Sequence, residues 1–428
     1  MIFRFEKRMS SFNPLTTTLS MKTAVFLTTL LLAIALTGCS FATEQADTKS
    51  QSDFVFDLYR AVAKEKPSGN LAVSPYCAEL LLDFVRSGAA GETKAEIDNI
   101  LGRTEASKWT VSTENSPLTT AAALWTQQGQ NILPEFLANA QKEFGSSIEQ
   151  ADFADNSIDA VRRINAWCSE KTNGKITSLF ERLDPMTRCV LVGAIHFAAD
   201  WKVPFNKDLT MDADFTLSEG KTVKTKIMSQ SETMRYGETD ETLIVELPYK
   251  NDGYTMLLLL PKDSSKFTDW ESTLTAAALK TLREGMTAVQ VDLRMPLFTV
   301  ESDVKLNETL KQLGMPMAFS MEADFSKISG QQDLYLSEVR QKTFVKVDET
   351  GTEAAAVTGA VISVKMARPT KPFYANRPFL YLIVKDNGDV ENSEILFFGR
   401  FAEPEAVVPE TQQPFVDPGL EGEGGAFS

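Results

Sequence analysis

"GTEAAAVTGAVISVKMARP", residues 351 to 369, lies between two strand-like apolar runs, "TFVKVDE" (343–349) and "FLYLIV" (379–384), and carries almost nothing that could anchor a core. A connection of this length inside a packed domain is usually functional or disordered. Disorder fits poorly, because the stretch bears little charge and its residues alternate in an orderly way. At the two-residue period of a strand, Thr352, Ala354, Ala356, Thr358, Ala360 and Ile362 fall on one side. Glu353, Ala355, Val357, Gly359, Val361 and Ser363 fall on the other. One side is small enough to slide beneath covering helices. A short helix through "TEAAAV" is also permitted by propensity, with Gly359 and the β-branched residues after it as a stop, so the stretch suits both states at different times.

The chain around it has 428 residues, 43% hydrophobic and 24% charged, as expected of a folded protein with a large core. The formal net charge is −15, and no basic patch interrupts it, so nucleic acid is not expected as a partner. One membrane-type segment occurs, "MKTAVFLTTLLLAIALTGCS" (21–40), in which Lys22 precedes a short apolar run and small residues precede a cysteine. It reads as an export signal rather than a spanning helix, since the run is short and lacks a basic stop on its far side. "LTGC" (36–39) resembles a bacterial lipobox, which implies cleavage before Cys39 and lipidation of its thiol. Residues 1–39 are therefore assigned to a signal peptide with its lipobox Cys, and 40–50 ("SFATEQADTKS") to a flexible tether.

The remaining cysteines, Cys77, Cys168 and Cys189, lack metal-ligand spacing and read as buried free thiols. The single histidine, His196, sits inside "VLVGAIHFAADW", which favours a core residue over a triad or a multi-histidine metal site. No nucleophile–base pair stands out, so the chain is not expected to be an enzyme, and no cofactor is expected.

Phe54, Leu58 and Val62 are spaced for one helix face, and "SPYCAELLLDFVRSGAAGETKAEIDNIL" (74–101) reads as two helices parted near Gly91. "LTTAAALWTQ" and "CVLVGAIHFAADW" read as long strands, the second too continuously apolar to have a wet face. "DAVRRINAWCSEKTNGKI" (159–176) is an amphipathic helix ending near Gly174. A hairpin turns at Asn251, Asp252 and Gly253, "VDLRMPLFTVESDVKLNETLKQLGM" is a strand feeding a helix, and the C-terminal run is another hairpin. Residues 51–404 are thus one α+β domain, followed by an acidic, disordered tail at 405–428.

"DETGTEAAAVTGA" (348–360) resembles the hinge of the serpins. The likeness runs in order through "NLAVSPY", "INAWCSEKTNGKITSLF", "GAIHFAADWKVPF", "VELPYKNDGYTMLLLLPKD" and "RPFLYLIVKDNGDVENSEILFFGRF", covering residues 51–404. The resemblance implies a metastable fold of three β-sheets and about nine helices, with an exposed reactive-centre loop at about 350–370. It implies a suicide inhibitor of serine proteases whose cleaved loop inserts into the large sheet. Serpin loop insertion is itself a standard example of strand addition and of released strain. The hinge residues are then Glu349, Gly351, Thr352, Glu353, Ala354, Ala355, Ala356 and Thr358. A bulky or charged side chain at Thr352, Ala354 or Ala356 would be buried on insertion at a cost of a few kcal/mol.

The family's spacing, counted from Gly351, makes Lys365–Met366 the reactive bond and points to trypsin-like proteases. Counting back from "FYANRPF" gives Val364 instead, which suits elastase-like or subtilisin-like enzymes; cysteine proteases remain a further class. At the sheet-opening region, where the family usually places two serines, an asparagine and a histidine, this chain has Ser74, Cys77, Gly193 and Gln341, with Trp201 matching the tryptophan at the top of the sheet. That is a correlated loss of polar partners, since removing one alone would strand the others. Residues 102–118 are too short and polar for the helix by which some relatives bind heparin. The expectation is a monomeric, exported inhibitor, lipid-anchored through Cys39 to a bacterial cell envelope, in the outer membrane, facing periplasm or exterior. The alternative is a non-inhibitory member whose loop is cut as a substrate.

Overall fold

The computed structural model describes residues 51–109, 116–352, 369–386 and 393–405. The export segment with Cys39, the tether, most of the reactive loop and the tail from 406 onward lie outside the described residues.

The chain enters through α1 (Gln51–Glu65), on which Phe54, Leu58 and Val62 are buried as their spacing requires. A short β1 (Leu71–Val73) leads to α2 (Pro75–Gly88). Ser74 caps α2, its Oγ accepting the Cys77 N–H at 3.0 Å, and Pro75 occupies the first turn where no N–H is needed. This helix is buried almost all round, which places it inside the molecule rather than on its surface. Next come α3 (Gly91–Leu101), β2 (Leu118–Gln127), α4 (Pro134–Phe144), β3 (Ser147–Ala151), α5 (Ser157–Lys171), β4 (Cys189–Phe197) and β5 (Ala199–Asp200). All nine residues of β4 are buried. Its two faces are covered separately: Val190, Val192 and Ala194 pack with Ile164, Cys168, Ile176, Leu179 and Phe180 of α5 and the segment after it. Leu191 and Ile195 belong to the main core that surrounds α2.

A run of strands follows: β6 (Met211–Thr216), the long β7 (Thr222–Glu238), β8 (Thr242–Pro248) and β9 (Tyr254–Pro261). Two short helices, α6 (Phe267–Thr273) and α7 (Ala276–Glu284), lead to β10 (Thr287–Pro296) and β11 (Phe298–Lys305). After α8 (Asn307–Leu313) and α9 (Ser326–Ser329) come β12 (Glu338–Val347), β13 (Gly351–Thr352), β14 (Lys371–Tyr374), β15 (Phe379–Lys385) and β16 (Glu394–Phe401). Nine α-helices thus occur among the described residues, as the resemblance implies.

The strands form a seven-stranded sheet, β3-β2-β4-β12-β13-β5 with β11 paired to β12. A second runs β1-β16-β15-β9-β8-β7-β10-β14, with β6 on β7. The two smaller sheets of the expected three are laced together in this second sheet, because β7 belongs to both. The lacing is narrow: β7 meets β8 only over Tyr236↔Val245, Gly237↔Ile244 and Glu238↔Leu243. One element differs from the sequence reading. "VDLRMPLFTVESDVK" is two strands in different sheets, divided at Leu297, whose N–H still bonds Lys226 O at 3.1 Å, one step beyond the Pro296↔Ile227 pair, before Phe298 pairs with Val347. Pro296 has no N–H to donate, which makes this the natural place for the chain to leave one sheet for the other.

Candidate functional site

The site lies on the seam of the seven-stranded sheet between β4 and β12. These strands are direct parallel neighbours from Val190↔Glu338 to His196↔Phe344. Beyond His196 they part, and β13 fills the gap, antiparallel to β12 through Val347↔Thr352 and to β5 through Asp200↔Gly351 and Ala199↔Thr352. The first two residues of the 351–369 stretch are therefore already part of the sheet. Position 351 admits only glycine there, because a Cβ would stand 2.1 Å from Ala199 O. Thr352 is fully buried, with its hydroxyl 2.6 Å from the Tyr249 phenol.

The turn before β13 is held from both sides. Trp201 donates its backbone N–H to Thr350 O at 2.8 Å and its indole N–H to Asp348 O at 2.9 Å. Phe205 N–H reaches Glu349 O at 2.8 Å, and Thr210 Oγ1 donates to the Glu349 carboxylate at 2.7 Å. The Trp201 ring stacks on Tyr249 at 4.6 Å and 12°. Trp201 thus serves the hinge end of the seam and is bonded to none of Ser74, Cys77, Gly193 or Gln341. Tyr249 was not singled out from sequence; its only signal was membership of "VELPYKNDGY".

Further down the seam Ser74, Cys77, Gly193 and Gln341 come together. Gln341, opposite Gly193 and fully buried, accepts the Ser74 N–H through Oε1 at 2.8 Å and donates Nε2–H to Ser74 O at 2.7 Å. The Ser74 hydroxyl donates in turn to Leu396 O at 2.6 Å. A Cβ at Gly193 would lie 2.5 Å from Cys77 Sγ and 2.9 Å from Leu81 Cδ1, so Cys77 and Leu81 occupy the space of any side chain there. The three departures from the family's usual residues therefore have one physical account. A long amide satisfies the backbone of Ser74, while a thiol fills what position 193 leaves vacant. Burial pushes the Cys77 thiol up to about 12, against the opposing effect of a hydrogen bond to Gln341, so it stays neutral. Thr343, two residues on, donates its hydroxyl to Ala72 O at 2.8 Å.

The opposite face of β12 is also fastened, by residues the sequence did not mark. Lys342 bonds Ser178 O and pairs with Glu301 at 2.7 Å. Arg340 bonds Leu179 O and lies 4.7 Å over the Phe180 ring. The segment after α5 is thus tied to β12 while its side chains pack on β4, so it straddles the seam.

Cys168 and Cys189 are buried free thiols like Cys77, and His196 is buried on β4. No group of His, Cys, Asp or Glu among the described residues is arranged to hold a metal. Glu353, Ala354, Ala355, Ala356, Thr358, Val364, Lys365, Met366 and Cys39 lie outside the described residues.

The family model described as "Serpin (serine protease inhibitor)" matches residues 49–404, and the chain belongs to that family. Human leukocyte elastase inhibitor is 32% identical over 379 residues, which span 83% of this chain and 99% of that protein. An uncharacterised serpin-like protein of Thermococcus kodakarensis is 33% identical over 369 residues, 82% of this chain and 84% of its own. Among solved structures, the thermophilic serpin tengpin in its native state superposes with a TM-score of 0.74 at 29% identity, over 84% of this chain and 95% of that one. The family is one of protease inhibitors, not of enzymes.

Proposed function

We propose that the chain is a suicide-substrate inhibitor of serine endopeptidases that traps its target by inserting the cut loop between β4 and β12. The observation that carries this reading is the seated hinge: Gly351 and Thr352 already run antiparallel to both flanking strands. Extended two residues at a time from Thr352, the register on β12 would bring Thr358 opposite Gln341, and the register on β5 and β4 would bring it opposite Gly193. Gln341 and Gly193 are themselves paired, so the two registers close on one another and a strand can thread the seam without a bulge. In that register Ala354 and Ala356 share a face with Thr352, and their small side chains suit the covered interior.

The bait residue is Lys365, with Val364 as the alternative. The protease serine attacks the Lys365 carbonyl, the bond to Met366 breaks, and the Met366 nitrogen leaves as a free amine, giving an acyl-enzyme. Insertion must outrun water's attack on that ester. Trypsin-like enzymes are the proposed targets, with elastase-like or subtilisin-like ones if Val364 is the bait. Cys39 in "LTGC" supports a lipid anchor on a bacterial envelope.

The test mixes protein beginning after Cys39 with trypsin and examines a denaturing gel and the released C-terminal peptide by mass spectrometry. A band at the summed mass and a peptide beginning at Met366 are expected. Clean cleavage without that band, by trypsin and by an elastase, would refute inhibition and leave the loop a substrate.

A further inference from the structure

Tyr249 follows β8 and is locked between the two sheets. Its N–H donates to Tyr254 O at 3.0 Å, the next N–H, of Lys250, donates to Asp200 O at 2.8 Å, and Lys202 N–H reaches Pro248 O at 2.9 Å. Its ring is 1% exposed, stacked on Trp201 and edge-on to Phe197 at 4.9 Å. The phenol therefore points from a fixed ring into apolar surroundings, where it meets the Thr352 hydroxyl at 2.6 Å. Among the described residues each buried hydroxyl has the other as its side-chain partner, so removing one desolvates the other without that bond.

We propose that Tyr249 is a positioning residue for loop insertion: its hydroxyl holds Thr352 in the first inserted register, so that insertion starts from a seated hinge. This rests on the inhibitory reading above and adds a residue to it. Seating matters because closing a loop onto a sheet costs entropy before the ladder returns it. A hinge already bonded to β12 and β5 has met that cost before the protease arrives. Thr352 keeps the same place when the rest of the strand follows, so the Tyr249 contact serves both the waiting and the inserted state. A tyrosine whose only role is to pack on Trp201 would be replaced without loss by phenylalanine, whereas a positioning hydroxyl would not.

The experiment compares the wild type with Tyr249→Phe, Thr352→Val and the double variant, in protein beginning after Cys39. The first readout is amide hydrogen exchange of the peptide containing residues 348–352, without protease. Each single variant strands one hydroxyl and is expected to exchange about tenfold faster there. The double variant buries an apolar pair and is expected to return close to wild type. The second readout is the fraction of protein trapped rather than cleaved by trypsin, expected to fall in the single variants and recover in the double. Unchanged exchange in Tyr249→Phe would overturn the proposal, as would a loss that Thr352→Val fails to restore, which would mark a general packing role. Should the wild type itself fail to trap protease, the inhibitory reading falls and the role in insertion falls with it. The exchange data would still decide whether the two hydroxyls seat the hinge.

Discussion

An alanine at Gly193 would bring a methyl group 2.5 Å from Cys77 Sγ and 2.9 Å from Leu81 Cδ1. Comfortable contact lies near 3.5–4 Å, so roughly 1 Å must be found. The strand cannot supply it easily, because β4 is bonded to β2 on one side and β12 on the other. Forcing one methyl into such a site costs about 1–3 kcal/mol. Cys77→Ala alone removes a buried sulfur and costs about 1 kcal/mol. In the double variant the worst clash is gone, the new methyl fills part of the space left by the sulfur, and Leu81 can yield through its flexible end. The pair should therefore be less destabilised than the sum of the singles, by roughly 1–2 kcal/mol. Urea unfolding of the four proteins, followed by tryptophan fluorescence, measures the coupling. Additive losses would refute the claim that Cys77 dictates glycine at 193.

Thr352→Arg places a guanidinium where a fully buried hydroxyl now meets Tyr249, and should turn the inhibitor into a substrate; covalent trapping by this variant at the wild-type level would contradict the insertion register. Glu271→Leu leaves Arg400, 2% exposed and bonded to that carboxylate at 2.9 Å, without its counter-charge, and should cost about 3–5 kcal/mol in urea unfolding. Burial lifts the Cys77, Cys168 and Cys189 thiols from 9.0 to about 12, so the unfolded chain loses these protons first. Their contribution to stability is intact below pH 9 and is lost as the pH rises toward 12. Unfolding midpoints at pH 8 and pH 10 should drop less when all three are alanine.

Patterns carried by neighbours in sequence were legible. The spacing of Phe54, Leu58 and Val62 gave α1, and the unbroken apolar run of β4 gave a strand covered on both faces. The hairpin at Asn251 to Gly253 was marked by its turn residues. What escaped depends on distant partners. The break at Leu297 reflects which sheet each half joins, and periodicity carries no information on that. Tyr249 finds Thr352 103 residues away, so its hydroxyl looked like any other. At the opening point the sequence showed polar partners missing but not that Gln341 is long enough to bond both backbone groups of Ser74. Bonds from a side chain to distant backbone leave no complementary residue to recognise.

The direction of β13 explains why insertion, as proposed, runs downhill. The β4–β12 contact is a single parallel ladder, with slanted hydrogen bonds. A strand entering antiparallel to both replaces it with two ladders of the slightly stronger kind, so ladder bonds are gained at every step. Opposing this are the fastenings that span or flank the seam: Gln341 to Ser74 on the inner face, Lys342 to Ser178 and Arg340 to Leu179 on the outer. They lie below the seated hinge, so the first step is complete while the next ones are held. In the proposed mechanism this arrangement would store the gain until a cut frees the far end of the loop, because an uncut loop held at both ends could not lengthen into the seam.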